Sequence, residues 1–195
     1  VDGFSSKLIP IVRNKVELEE QSAQSEVLEI EEYGNIRRIG IIEIPTFYID
    51  FQALQDGDEN YRSTTRDVKR LLKELQAQQV DAVVIDLRDN GGGSLQEAKT
   101  LTGLFIDRGP TVQIRGKSDR VDVLTDRDYR VDYGGPMAVL VNRLSASASE
   151  IFAGAIQDYG RGLVIGTQTF GKGTVQTLQP LLRGQLKMTQ AKFYR

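Results

Sequence analysis

The chain contains neither histidine nor cysteine. The first absence excludes a Ser-His-Asp triad and the second a thiolate nucleophile or a disulfide framework. Together they remove the usual zinc sites. No run reaches the ~18 apolar residues of a membrane-spanning helix, and no signal peptide is visible. A net charge of -2 supplies no strong basic field for neutralising phosphates, which argues against nucleic-acid binding. If the chain performs nucleophilic catalysis, its base must therefore be a lysine or a carboxylate.

What is present fits one ordinary domain: 195 residues, 39% apolar and 27% charged. Lys7–Val12, interrupted by Pro10, is at best an edge strand. Acidic and apolar residues interleave from Lys15 to Glu32, suggesting short exposed strands, and Ile36–Ile44 is a better strand stopped by Pro45. Gln55–Tyr61 is polar and loop-like. Val68, Leu71, Leu72 and Leu75 fall at i, i+3, i+4 and i+7, predicting a helix over Thr65–Gln79. Ala82–Leu87 has the short apolar run of a buried parallel strand. Leu95–Phe105 is apolar at helical spacing, Thr111–Val123 is strand-like, and Asp126–Gly135 is loop. Met137–Val141 and Leu163–Ile165 are expected as the second and third core strands, with a helix from Ser147 to Tyr159 between them. A hairpin around Arg183-Gly184 is expected to join Val175–Leu182 to Gln185–Tyr194. Repeated strand-helix-strand order implies an α/β domain with right-handed crossovers.

Two segments stand out chemically. Ser147 lies in Ser145-Ala-Ser-Ala-Ser-Glu150, where a buried strand gives way to a helix whose free N–H groups suit an oxyanion. The same residues also spell a capping box, Ser147 with Glu150. Lys172 lies 25 residues further on, between Gly171 and Gly173. The plain reading of such a lysine is a solvated loop residue. A lysine used as a base must instead be neutral, its pKa lowered from about 10.4 towards 7–8, through burial or a nearby positive charge. The flanking glycines would let the backbone turn the side chain inward, and Phe170 is placed to help desolvate it. Asn90-Gly-Gly-Gly93, after Val83–Leu87, reads either as a plain strand-to-helix turn or as a set of exposed N–H groups fit for an oxyanion hole. A phosphate-loop reading of Gly166–Lys172, with Asp86 as a metal-binding residue, fails on two counts. Gly173 stands where Ser or Thr is needed, and a strand rather than a helix follows.

Four blocks in order resemble the carboxyl-terminal processing, or tail-specific, proteases of the bacterial periplasmic branch. They are Asp86-Leu-Arg-x-Asn-Gly-Gly-Gly93, Arg143-x-Ser-Ala-Ser-Ala-Ser-Glu-Ile-Phe152, Gln157-Asp-Tyr-Gly-Arg161 and Thr169-Phe-Gly-Lys-Gly-Thr-Val-Gln176. The resemblance runs from about Val27 to Arg195. It implies a crotonase-like α/β core built of βαβ units, with a small N-terminal β segment. It also implies Ser147 as nucleophile, Lys172 as general base and Gln176 as the residue that orients it. The N–H groups of Gly93 and Ala148 become the oxyanion hole, and Glu150 and Asp158 become structural supports. The choice of Ser147 rests on the family's serine-to-lysine interval of 25, with Ser145 and Ser149 as fallbacks.

Further expectations follow from the resemblance. Residues 1–26 would be the remnant of a PDZ domain or a linker, and residues 27–195 a catalytic core lacking its C-terminal continuation. No metal, nucleotide or organic cofactor is expected. The substrates would be proteins with apolar C-termini, met in the periplasm, and no adaptor or oligomeric state is implied. A catalytically silent binding or assembly module that keeps the protease fold is the alternative.

Overall fold

The computed structural model describes residues 21–117, 120–126 and 129–195. The edge strand expected at Lys7–Val12 lies outside the described residues. The elements run β1 (Gln24–Glu32), β2 (Asn35–Glu43), α1 (Phe51–Gln55), α2 (Thr64–Ala77), β3 (Ala82–Asp86), α3 (Leu95–Gly103), β4 (Gly109–Arg115), β5 (Val121–Asp126), β6 (Met137–Val141), α4 (Ala148–Asp158), β7 (Leu163–Gly166), β8 (Thr174–Pro180) and β9 (Gln185–Tyr194). They form a five-stranded sheet in the order β1-β2-β3-β6-β7 and a four-stranded sheet in the order β5-β4-β9-β8. In the larger sheet β2, β3, β6 and β7 are parallel, and β1 is an antiparallel edge. This is the expected α/β class.

The parallel strands are laid down in one direction across the sheet. Right-handed crossovers therefore carry every helix to the same side. There α2 packs on β1 and β2 and α4 on β7, while α3 and α4 also meet β4 of the second sheet. Of the helices, α4 thus touches both sheets, and α3 packs on α2 and α4 and against β4 and β5. Val68, Leu71, Leu72 and Leu75 of α2 are buried as their spacing predicts, each worth about 1.5–3 kcal/mol of apolar burial. Ser63 caps this helix by accepting from the Arg66 N–H at 3.3 Å. Phe105 and Phe152 meet edge to face at 5.8 Å, joining the end of α3 to α4.

Burial alternates along the parallel strands. Val83, Ile85, Val139 and Val141 face the helices and are buried, whereas Val84, Ala138 and Leu140 face away and are half-buried. The expectation for Leu163–Ile165 needs correction. As β7 it is an edge strand, with Leu163 69% and Ile165 49% exposed, because both point to the face that no described helix covers. A short apolar run cannot distinguish a central strand from an edge one. Thr111–Val123 is likewise two antiparallel strands, β4 and β5. Gln55, expected to open a polar loop, is instead the last residue of a short helix, α1, whose cap Asp50 accepts from the Ala53 N–H at 3.0 Å. The β8–β9 hairpin turns at Arg183-Gly184 as expected.

Candidate active site

Strand β6 ends at Val141, and α4 begins at Ala148. Ser145 and Ser147 lie between them and Ser149 in the first turn of α4, and the three serines are disposed differently. The Ser145 hydroxyl donates to the Leu87 carbonyl at 2.7 Å and accepts from the Asn142 N–H at 2.9 Å. The Ser149 hydroxyl donates to the Asn90 carbonyl at 2.9 Å. Both residues are fully buried, so neither fallback hydroxyl is free to meet a substrate. Ser147 alone lines a cavity.

Ser147 sits at φ 58° and ψ -110°, a backbone conformation that L-residues rarely hold and that costs about 1–3 kcal/mol. Its N–H donates to Glu150 Oε2 at 2.7 Å. Both contacts of the capping box are present, yet its firm half is this Glu150 bond, since the Ser147 hydroxyl approaches the Glu150 N–H without forming a full hydrogen bond. A strained strand-to-helix turn that leaves a serine hydroxyl uncommitted is the geometry of a nucleophile elbow.

Glu150 also holds the lysine loop. Its Oε1 accepts from the Thr169 hydroxyl at 2.8 Å and the Gly171 N–H at 2.7 Å, and its Oε2 accepts from the Lys172 N–H at 2.9 Å. One carboxylate therefore fixes Ser147 and Lys172 to each other, with charge-assisted bonds at both ends. A further strut runs from the Phe170 N–H to the Ser145 carbonyl at 3.0 Å.

The glycine loop is set by Asn90, whose side chain is fully buried. Its Nδ2 donates to the Ile44 carbonyl at 2.7 Å, and its Oδ1 accepts from the Gly92 N–H at 2.8 Å. Phe47 clamps the loop from the other side, donating to the Gly92 carbonyl at 3.0 Å and accepting from the Ser94 N–H at 2.8 Å. A Cβ on Gly92 would lie 2.8 Å from Ser147 Cβ and 3.1 Å from the Ala148 nitrogen, so the loop presses directly against the start of α4. Neither the Gly93 nor the Ala148 N–H has a hydrogen-bond partner among the described residues.

A cavity of about 690 Å³ brings Ser147, Lys172, Gln176, Gly93 and Ala148 together. Its apolar wall includes Phe47, Phe51, Leu95, Ile151 and Phe193. Asp158 is elsewhere: it is bonded to Arg195 at the far end of α4, where that guanidinium holds its carboxyl below the usual range. With Glu150 it lines a second cavity, of about 450 Å³. Phe170 does not shield Lys172. It is 64% exposed, and the aromatic residues that line the lysine's cavity are instead Phe47, Tyr48, Phe51 and Phe193.

Sequence reasoning passed over Asn90, Thr169 and Phe47. Asn90 and Thr169 stand inside the quoted blocks, where a buried asparagine and a loop hydroxyl look like turn formers. Phe47 acts through its backbone and left no signal. After Lys172 comes strand β8, so the phosphate-loop reading lacks its helix.

Residues 38–195 match the family model described as Peptidase family S41. The chain is 45% identical over 202 residues to a tail-specific protease of Haemophilus influenzae, a match covering 99% of this chain and 27% of that protein. It is 35% identical over 196 residues to the chloroplastic carboxyl-terminal-processing peptidase 2 of Arabidopsis thaliana, covering 98% of this chain and 35% of that one. A solved photosystem II D1 C-terminal processing protease superposes with a TM-score of 0.72 at 29% identity, over 93% of this chain and 45% of the other. The chain thus spans about a quarter to a third of the length of these curated relatives.

Proposed function

The chain belongs to peptidase family S41, and from that premise we propose that it is the catalytic core of a serine endopeptidase working through a Ser147–Lys172 dyad. The observation that carries this reading is the sorting of the three serines. Two are consumed by backbone bonds, and the third faces a cavity shared with Lys172.

The neutral Lys172 amine takes the proton of the Ser147 hydroxyl as Oγ attacks the peptide carbonyl. The developing oxyanion is stabilised by the Gly93 and Ala148 N–H groups, of which one such donor is typically worth about 10²–10³ in kcat. Lys172 then gives its proton to the departing amine, leaving an acyl-enzyme. Water, deprotonated by the same lysine, releases the acyl group and regenerates the serine. Gln176 orients the lysine, Glu150 holds the two loops in register, and Asp158 is structural, steadying the end of α4. No metal or organic group is called for.

The substrates are proteins selected by apolar C-terminal residues and met in the periplasm, a reading supported by the bacterial tail-specific relative. The division expected at residue 26 falls inside β1, whose Gln24–Glu26 pair with Ile41–Glu43, so the core begins by Ala23 and the recognition module or its linker is assigned to the residues before it. A silent protease-fold module would have no use for the uncommitted serine, the open N–H groups and the lysine together. The test is peptide hydrolysis by Ser147→Ala and Lys172→Arg variants. Both should be inactive, since guanidinium stays protonated and cannot act as a base. An active Ser147→Ala enzyme would overturn the assignment.

A further inference from the structure

The chain carries 27 acidic and 25 basic residues, yet no Asp or Glu lines the Ser147 cavity. Its charged lining is two lysines, Lys172 and Lys187. The carboxylates of this region, Glu150 and Asp158, line the second cavity instead. Lys187 has no ion-pair partner among the described residues, and neither has Lys172. Lys187 lies on β9, two residues from Thr189, which is paired with Gln176 of β8. Residues two apart on a strand share a face, so Lys187 and Gln176 project from the same side of the hairpin as diagonal neighbours roughly 7–8 Å apart at the backbone.

We propose that Lys187 is a specificity-determining residue that pairs with a carboxylate on the bound peptide, within about three residues of the scissile bond. The proposal rests on the reading of this cavity as the peptide-cleaving site. If Lys172 works as a neutral base, Lys187 is the only fixed charge in the lining, in an otherwise uncharged wall of apolar, hydroxyl and amide side chains. An extended peptide would then be favoured with an apolar side chain against Phe47, Leu95 and Ile151 and an anionic group beyond it. A basic residue at the same place would be repelled. The carboxylate has two sources, an Asp or Glu side chain or the peptide's own C-terminus, and both make the same pairing.

The test scans Glu, Gln and Lys through the three positions on each side of the cleavage point of one peptide, in free and C-terminally amidated forms. Cleavage is followed as kcat/KM for the full chain and its Lys187→Gln and Lys187→Glu variants. Binding is read in parallel by fluorescence anisotropy on Ser147→Ala protein, so that charge selection is measured without turnover. At one position Glu should exceed Gln by about threefold and Lys should fall below it by a similar factor, the size of a partly screened ion pair. The difference should shrink with added salt, vanish in Lys187→Gln and invert in Lys187→Glu. If the effect follows the free terminus rather than Glu, the chain end is the source. Equal binding of the Glu and Lys peptides at every position together with equal binding of the free and amidated forms, or a preference unchanged in Lys187→Glu, overturns the proposal even where cleavage occurs. Peptide cleavage by the Ser147→Ala protein would instead overturn the underlying assignment of the site.

Discussion

Two glycine-bearing loops border the cavity, and their glycines answer different needs. A Cβ on Gly93 would lie 2.2 Å from the Phe47 carbonyl oxygen, and one on Gly92 2.7 Å from the Ala146 oxygen. A Cβ on Gly171 would meet nothing within 4 Å, and one on Gly173 only the Phe193 oxygen at 3.7 Å. In the first loop glycine makes room for backbone to approach backbone. In the second it supplies, at most, a positive φ of 87° at Gly171. The glycine loop is therefore a rigid wall of the site, while the lysine loop is held in place by the Glu150 carboxylate.

Gly93→Ala should have the largest effect. No flexible side chain can yield to the new methyl, so Phe47 or the loop must move and the Gly93 N–H loses its aim. The proposed hydrolysis should fall by at least about 10²-fold in kcat, with circular dichroism close to the parent. Near-parental turnover would mean that the loop's geometry is not what holds the oxyanion.

Glu150→Gln tests the other loop. The amide keeps one acceptor oxygen but turns an NH₂ towards two donors that a carboxylate had satisfied. We expect a loss of roughly 1–3 kcal/mol from the unpaired donors, read as a lower melting temperature together with a drop in kcat larger than any change in KM. A variant as stable and as active as the parent would remove Glu150 from its linking role.

The Tyr48 phenol is bonded on both sides, accepting from the Ala23 N–H at 3.0 Å and donating to Asp67 at 2.5 Å. Burial and that bond raise its pKa well above the usual 10.0. The neutral form is the one favoured by folding, so its contribution is fully present below pH about 10 and is lost as pH rises beyond it. Urea melts between pH 8 and 11 should show the parent losing more stability than Tyr48→Phe. Parallel curves would sink this assignment. The smallest effects belong to the open glycines: Gly171→Ala should cost about 1 kcal/mol for its positive φ, and Gly173→Ala less.

Much of this was legible because periodicity reports burial. The α2 stripe Val68, Leu71, Leu72 and Leu75, the strands at Ala82 and Met137, and the β8–β9 hairpin all fell where their spacing put them. Spacing could not say that β7 is an edge strand, since Leu163 and Ile165 are as apolar as the central residues. The cavity residues Ser147, Lys172, Gln176, Gly93 and Ala148 were legible as motifs. The walls around them were not, because Phe47 and Phe193 arrive from distant segments and Asn90 resembles any turn residue. Phe170 misled for the same reason: adjacency in sequence was no guide to the direction of its ring.

The central claim is that Ser147, of the three crowded serines, is the nucleophile and that Lys172 activates it. Labelling with a fluorophosphonate probe, followed by peptide mapping, tests both halves at once. A single modified residue, Ser147, is expected, with labelling at least about 10²-fold slower in Lys172→Arg, in which a competent base is missing. Modification of Ser145 or Ser149, or equal labelling rates in the two proteins, would contradict it.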